Sequence, residues 1–429
     1  MTHERITFFG LVAVVFLGCN RGGDGLVDAG ASGGGGGSGT LTVTGKLMTN
    51  TGAVVKNTPV GIGGKWTTSD DSGAFTIADV TTPYDLVSVM SSPSKIGVVF
   101  KGLTRADPTI LFLGTIDSNL SRGTVTGALF GGDPLPETGD ETIVTLGSAY
   151  HRVTATPFSL NLDWAGSTVF TGTLRALQFV KGPSGTPSAY RGYGERASVS
   201  VVHSSTVTGQ DVVMTGVSTA NLSGTVALPA GYALDLRTVS ARFSDGAVFG
   251  LGADTALGGA FNVLTPSSIG ATFSVFLEAN GPEDSLSYVS ANGLAANASG
   301  VTLTVQAAPV MALPVANGTG ITTATDFTWT RFAGGVHVMA ITPNGGSTNP
   351  QFYVFTSDTS ARIPDLAAQG MGLPAGADYR WNVMGLAPFS SVDAFAARET
   401  GELFAHDLAW GTGTITYGNA LNSRAFTTQ

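Results

Sequence analysis

From Leu41 to the C-terminus, short runs alternate apolar residues with threonine or serine, and this period of two constrains the chain more than any other feature. Leu41, Val43 and Gly45 alternate with threonines. Phe158-Ser159-Leu160-Asn161-Leu162, Ser198-Val199-Ser200-Val201-Val202 and Ala271-Thr272-Phe273-Ser274-Val275-Phe276 repeat the pattern, with turn-forming residues between them. Successive side chains of a strand point to opposite faces, so each run reads as a strand with one buried face. Charged residues make up 12% of the chain, about half the usual share, so exposed faces carry hydroxyls rather than ions. With 42% hydrophobic residues over 429 positions the chain can bury several cores. The expectation is an all-β protein of tandem β-sandwich domains. The net charge of −9 with no basic cluster argues against nucleic acid or an anionic lipid surface as partner.

Cys19 is the one cysteine, so no intramolecular disulfide can form and stability must come from the cores. It ends an uncharged run from Ile6 to Leu17 that follows Arg5. That run is too short to cross a hydrocarbon layer, which needs roughly 20 residues, and reads as a signal-peptide core. Phe16-Leu17-Gly18-Cys19 resembles the lipobox of bacterial lipoproteins, with Phe16 where leucine is usual. The resemblance implies that residues 1–18 are removed and that the Cys19 sulfur carries a diacylglyceryl group. The alternative is an ordinary secretory signal cut elsewhere. Asn20 in place of aspartate implies, by the same resemblance, transport to the outer membrane. Residues 19–40, with five consecutive glycines from Gly33, read as the lipidated cysteine and its flexible tether. Gly30-Ala31-Ser32-Gly33-Gly34 formally matches a serine-hydrolase pattern but lacks the strand and helix that the pattern needs.

The first folded module is expected over 41–115. In Ser69-Asp70-Asp71-Ser72-Gly73-Ala74-Phe75-Thr76-Ile77, Asp70 caps local backbone N–H groups and Gly73 supplies positive φ, after which Phe75 and Ile77 enter the core. This run, after Gly52-Ala53-Val54, resembles the carboxypeptidase regulatory-like domain, a transthyretin-like sandwich, with Ser69 where that family has threonine. The resemblance implies a non-catalytic module that props or docks its neighbours. Asp70 and Asp71 are more simply turn-formers than calcium ligands.

Short openings at Gly39-Thr40-Leu41, Gly123-Thr124-Val125 and Gly224-Thr225-Val226 suggest one sandwich each, and place two further sandwiches at 116–222 and 223–309. In the last segment, 310–429, Phe327-Thr328-Trp329 and Val336 to Ile341 read as strands. Leu373-Pro374-Ala375-Gly376-Ala377-Asp378-Tyr379 then resembles the tyrosine-corner run of fibronectin type III domains. The resemblance implies that the Tyr379 hydroxyl pins the loop before its strand. Tyr379, Trp381 and Val383 are expected on one buried face. The stretch from Leu386 to Leu408 is long for a hairpin loop, and a short helix is expected within its mixed polar and apolar run Val392 to His406.

Catalytic patterns are sparse. His151, His203, His337 and His406 are dispersed, and Gly63-Gly64-Lys65 continues with Trp66 where a phosphate loop needs Ser or Thr. No catalytic residue, metal ligand or cofactor is assigned. Two segments are candidate binding sites for an envelope protein or glycan. One is Tyr190-Arg191-Gly192-Tyr193-Gly194-Glu195-Arg196, read as a loop; the other is the long loop with Phe389, Phe395 and Phe404. The combined expectation is a lipid-anchored envelope protein with a binding, adhesive or scaffolding role. The alternative is an extracytoplasmic hydrolase assembled from distant strands.

Overall fold

The computed structural model describes residues 40–49, 53–91, 95–112, 120–135, 140–164, 167–254, 257–344, 348–397, 413–420 and 423–429. The signal run, Cys19 and the tether lie outside them. The described chain is all-β apart from one short α-helix and two single-turn helices.

In the first group of strands, Thr40–Thr49 lies between Ala74–Thr81, antiparallel, and Thr109–Phe112, parallel. A second sheet packs on it, in the order Lys65–Thr68, Pro59–Ile62, Tyr84–Met90, Ile96–Leu103. Asp70 Oδ1 accepts the backbone N–H groups of Ser72 at 2.8 Å and Ala74 at 2.9 Å, and Gly73 has φ of 78°. These hydrogen bonds, that from the Ser72 hydroxyl foremost, hold the Asp70 carboxyl below its usual pKa. Phe75 and Ile77 then enter the core, 3% and 5% exposed. Ser69 is itself buried. Its hydroxyl donates to the Val55 carbonyl and accepts the Thr58 N–H, fastening two turns together.

The same arrangement recurs twice. Ser121–Gly127 lies between antiparallel Phe158–Trp164 and parallel Thr206–Val207, beneath a sheet ordered Ala149–Val153, Asp140–Leu146, Val169–Lys181, Pro187–Val202. Thr219–Ala227 lies between antiparallel Ala260–Pro266 and parallel Val301–Thr304, beneath Val248–Asp254, Ala233–Arg242, Thr272–Asn280, Ser285–Leu294. The equivalent positions are Val43-Thr44-Gly45, Val125-Thr126-Gly127 and Leu222-Ser223-Gly224, not the Gly-Thr openings that the sequence suggested. Their glycines stand opposite Phe75, Phe158 and Phe261. A β-carbon at Gly45 would strike the Phe75 ring and the Pro108 carbonyl; at Gly224 it would strike the Phe261 ring and the Val301 carbonyl. At Gly127 it would strike the Gln210 carbonyl. At Gly45 and Gly224 the first strand is thus squeezed between an aromatic ring and returning backbone, and at Gly127 against returning backbone.

The fourth group pairs a small sheet, Met311–Leu313, Phe327–Trp329 and Ser360–Ala361, with a larger one. The larger runs Gln351–Thr356, Val336–Pro343, Asp378–Ala387, after which Gly413–Ala420 and Arg424–Thr428 share the far edge. Tyr379, Trp381 and Val383 share the buried face as expected, each at most 1% exposed. The expected tyrosine corner is not formed. Thr428 Oγ1 donates to the Pro374 carbonyl at 2.5 Å and accepts the Ala377 N–H at 2.8 Å, so the last strand pins this turn. The Tyr379 hydroxyl has no hydrogen-bond partner among the described residues.

These groups are not separate beads. Ile96–Leu103 pairs in parallel with Gln351–Thr356, and Ser285–Leu294 pairs antiparallel with Gly413–Ala420. The fourth group's larger sheet therefore bridges the first and third groups in one 14-stranded sheet. Cores follow the joins. Val336, Val338, Met384, Leu386 and Phe395 pack into the first group's core, while Val89 and Val99 of the first group pack into the fourth group's core. Open strand edges invite foreign pairing, and here two are consumed within the chain.

Candidate binding surfaces

The Tyr190 segment is not a loop but part of the strand Pro187–Val202. Its tyrosines face the third group of strands. The Tyr190 hydroxyl donates to the Leu264 carbonyl at 3.0 Å, and its ring packs 5.9 Å from that of Phe179. Tyr193 lies parallel to Phe243 at 6.3 Å, and its hydroxyl donates to Glu195. Burial raises the pKa of both phenols, and Glu195 adds to the effect at Tyr193. Arg191 sits at a bulge and pairs instead with Asp133, Nε to Oδ2 at 2.7 Å. The structure thus brings Tyr190 and Tyr193 together at an internal seam and leaves Arg191 outside it.

The centre of that seam is Arg175. Its Nη1 donates to both Asp245 oxygens, at 3.0 and 2.8 Å, Nε reaches Glu195 at 3.4 Å, and the guanidinium lies 4.1 Å above the Phe243 ring. The apolar remainder of the seam joins Ile143, Leu177 and Phe179 to the third group's core. Arg175 alternates with apolar residues in Leu174 to Phe179, and only the cross-strand partner Glu195 and the distant Asp245 reveal its use.

Phe389 and Phe395 also pack inward. They meet edge-to-face at 5.1 Å, and Phe395 lies 5.2 Å from Phe355 and 6.0 Å from Phe100. The expected short helix is present as Val392–Ala396, capped by Ser391, whose hydroxyl accepts the Ala394 N–H at 3.1 Å. The helix is tethered to the first group by Asp393. Its carboxylate accepts the backbone N–H groups of Thr104 at 2.8 Å and Arg105 at 3.2 Å, together with the Thr104 hydroxyl. Arg105 Nη1 donates back to the Asp393 carbonyl at 2.9 Å. Phe404 and His406 lie outside the described residues.

His337 lies in the fourth core rather than on a strand's open face. Nε2 accepts the Phe332 N–H at 2.9 Å, so the ring is neutral. Burial, with Arg331 nearby, lowers its pKa to about 4. No cluster of three or more metal-binding side chains occurs among the described residues, and no helix among them is long and apolar enough to cross a membrane. Asp70 and Asp71 remain exposed, with Asp70 Oδ1 engaged by its own turn.

Among the described residues, Trp66 is the largest of the apolar side chains left exposed, at 40%. It stands at the free edge of the long sheet.

No protein-family model and no curated protein matches this chain. Similar solved structures include the Bacillus anthracis TIE protein, at 9% identity over 62% of this chain and 50% of that one, with a TM-score of 0.15. The shaft pilin spaA from Lactobacillus rhamnosus GG matches at 10% identity over 42% of this chain and 99% of its own, TM-score 0.13. A DUF3823 family protein from Bacteroides ovatus matches at 12% identity over 40% and 97%, TM-score 0.12. The chain spans half the length of the TIE protein.

Proposed function

We propose that this chain is a non-catalytic component of a bacterial cell envelope, held to a membrane by a lipid on Cys19, that serves as a rigid binding or scaffold block. One observation carries the reading: the fourth group of strands fuses the first and third into a single sheet, while the second is clasped to the third through Arg175 and Asp245. A chain built to flex between modules would leave these edges and seams solvated. Arg175–Asp245 and the buried Arg237–Asp254 pair hold strands and their turns together, and Asp393 ties its helix to the loop at Thr104. In this reading the glycine-rich sequence between Cys19 and Thr40 is the tether that joins the body to its anchor.

Within this reading the first group is regulatory-like, supported by its Asp70–Gly73 turn and its three-plus-four strands. The fourth is fibronectin III-like, supported by the three-stranded sheet Met311–Leu313, Phe327–Trp329, Ser360–Ala361 and by a larger sheet in which Val336–Pro343 lies between Gln351–Thr356 and Asp378–Ala387. The outer membrane is the destination that Asn20 supports.

The test is labelling with a radioactive fatty acid, followed by co-purification from the protein's own membranes. The wild-type chain incorporates label and brings envelope proteins or wall glycan with it. Cys19→Ala incorporates none and accumulates as unprocessed precursor. Undiminished labelling of Cys19→Ala removes the anchor, and recovery of a turnover activity from the purified chain removes the non-catalytic role.

A further inference from the structure

We infer that Asp133 and Asp140, with the Thr142 hydroxyl and the Gln178 side-chain oxygen, form a calcium site at one end of the second group of strands, in which Arg191 stands in for the metal. Strand register brings these groups together. Thr142 is directly opposite Gln178, which is opposite Gly192 on the next strand. Asp140 lies two positions before Thr142, so the two side chains leave the same face. Gln178 is fully buried and grips the backbone of Asp133: its Oε1 accepts the Asp133 N–H at 2.7 Å and its Nε2 donates to the Asp133 carbonyl at 3.1 Å. Gly132, with φ of 73°, permits this approach, since a β-carbon there would lie 2.4 Å from Gln178 Oε1. The Asp133 carboxylate then pairs with Arg191 Nε at 2.7 Å, and the same nitrogen is 3.9 Å from Asp140 Oδ2. Asp140, Thr142, Gln178, Asp133 and Arg191 thus ring one spot.

Two oxygens of the ring are orphaned. The Asp140 side chain is 4% exposed and Thr142 is 1% exposed, yet neither Asp140 Oδ2 nor Thr142 Oγ1 has a hydrogen-bond partner among the described residues. A buried polar oxygen left unpaired is costly, and a buried carboxylate more so. Arg191 relieves this incompletely, because at 3.9 Å its Nε is a neighbouring charge and not a hydrogen-bond donor to Asp140. Two acids facing one guanidinium also leave one negative charge over, which a divalent ion in its place cancels. Arg191 is free to yield that place. Its side chain is 42% exposed, it sits at a bulge, and its ion-pair partners among the described residues are these two acids.

The donor set selects the ion. Every ligand offered is an oxygen, from two carboxylates, a hydroxyl and an amide, which suits a hard cation and not zinc or copper. Burial then separates calcium from magnesium. Magnesium demands near-octahedral geometry and keeps several of its waters, whereas calcium accepts an irregular set of carboxylate and neutral oxygens. A site whose inner oxygens belong to side chains 1% and 4% exposed needs the ion that sheds water more readily. With two acids the site escapes the signature of three or more metal-binding side chains, and its affinity belongs with extracellular calcium modules, at about 10⁻⁴–10⁻³ M.

The full chain, stripped with a chelator, is titrated by calorimetry with calcium chloride and with magnesium chloride, and melted with and without each ion. The expected result is saturable calcium binding, a calcium-dependent rise in melting temperature, and magnesium bound more weakly by about tenfold or more. Asp140→Asn keeps the side chain's shape and removes its charge, and should lose both the calcium heat and the rise in melting temperature. Thr142→Val should weaken calcium binding without abolishing it. Arg191→Gln removes the competing cation, so it should bind calcium more tightly than the wild type and gain more from it in melting temperature. A purely structural Arg191 would give no such calcium dependence, and this variant decides the matter even where Asp140→Asn fails to fold. The site is overturned by a wild type that shows no saturation up to about 10 mM calcium, by undiminished calcium binding in Asp140→Asn, or by weaker binding in Arg191→Gln. Lipid labelling of Cys19 is unaffected by any of these outcomes, so the calcium site and the anchor stand or fall separately.

Discussion

Asp393 and Thr104 are 289 positions apart, yet the carboxylate of the first accepts the backbone N–H of the second at 2.8 Å. The contact closes the chain on itself: a helix that follows the fourth group's central strand is latched to the loop leaving the first group's edge strand. Asp393→Ala removes the acceptor for two backbone N–H groups and a hydroxyl. A loss of about 1–3 kcal/mol in stability follows, because hydrogen bonds to a charged acceptor exceed neutral ones and this one is partly solvated. Hydrogen exchange at the Thr104 and Arg105 amides should accelerate, while amides of the second group, such as Val144, keep their protection.

Phe75 fills the first core against the strand bearing Gly45. Phe75→Ala should cost about 3–5 kcal/mol through lost burial and the cavity left behind. Gly45→Ala should also destabilise, by roughly 1–3 kcal/mol or more, since a methyl there meets both the ring and the Pro108 carbonyl. Chemical denaturation of the two variants checks both figures. A shift below about 1 kcal/mol for Phe75→Ala would mean that the register of this strand is wrong.

Tyr379→Phe reverses the sign that a tyrosine corner implies. A corner tyrosine loses a useful hydrogen bond on this change. Here the hydroxyl is buried with no partner among the described residues, burial pushes its pKa up to about 12, and the ring packs 5.7 Å from Phe426. Removing it should leave stability unchanged or raise it by about 1 kcal/mol. Thr428→Val, which strips the turn of its actual pin, should lower stability by roughly 1–2 kcal/mol. Thermal melts of the two variants, compared side by side, decide which residue holds the turn.

His337 makes the fourth group acid-sensitive. Its folded pKa of about 4 lies below the unfolded value near 6.5, so between these values the unfolded chain binds the extra proton. The stabilisation is complete above about pH 6.5 and declines as pH falls toward 4. The melting temperature of the wild type should therefore drop between pH 7.5 and pH 5, and His337→Gln should narrow that drop. An equal drop in the two proteins would contradict this assignment.

Much of the local structure was legible because it is written in neighbouring residues. The Asp70–Gly73 turn, the inward Phe75, the face shared by Tyr379, Trp381 and Val383, and the helix at Val392 all follow from spacing along a few positions. Contacts between distant segments were not legible. Gln351–Thr356 carries no mark of pairing with Ile96–Leu103, since both read simply as buried strands. Tyr190 to Gly194 read as a loop because its glycines and charges are those of turns. The glycines instead admit close backbone, Gly194 against the Val213 carbonyl and Gly192 against the Met214 side chain and Thr215 carbonyl. Trp66 read only as a broken phosphate loop, because its cross-strand partner Gly61 matters through its missing side chain. The Tyr379 expectation failed for a similar reason: Thr428, 49 positions later, had already taken the turn.

The rigidity of the fused sheet can be measured directly. Spin labels at Lys56→Cys in the first group and Asp235→Cys in the third, in a chain carrying Cys19→Ser, report one distance by double electron–electron resonance. Both positions are exposed, and within the long sheet the first and third groups are joined only through the fourth. The fused sheet predicts a single peak no wider than the labels' own rotamers allow. A broad distribution spanning tens of ångströms, as jointed modules would give, contradicts it.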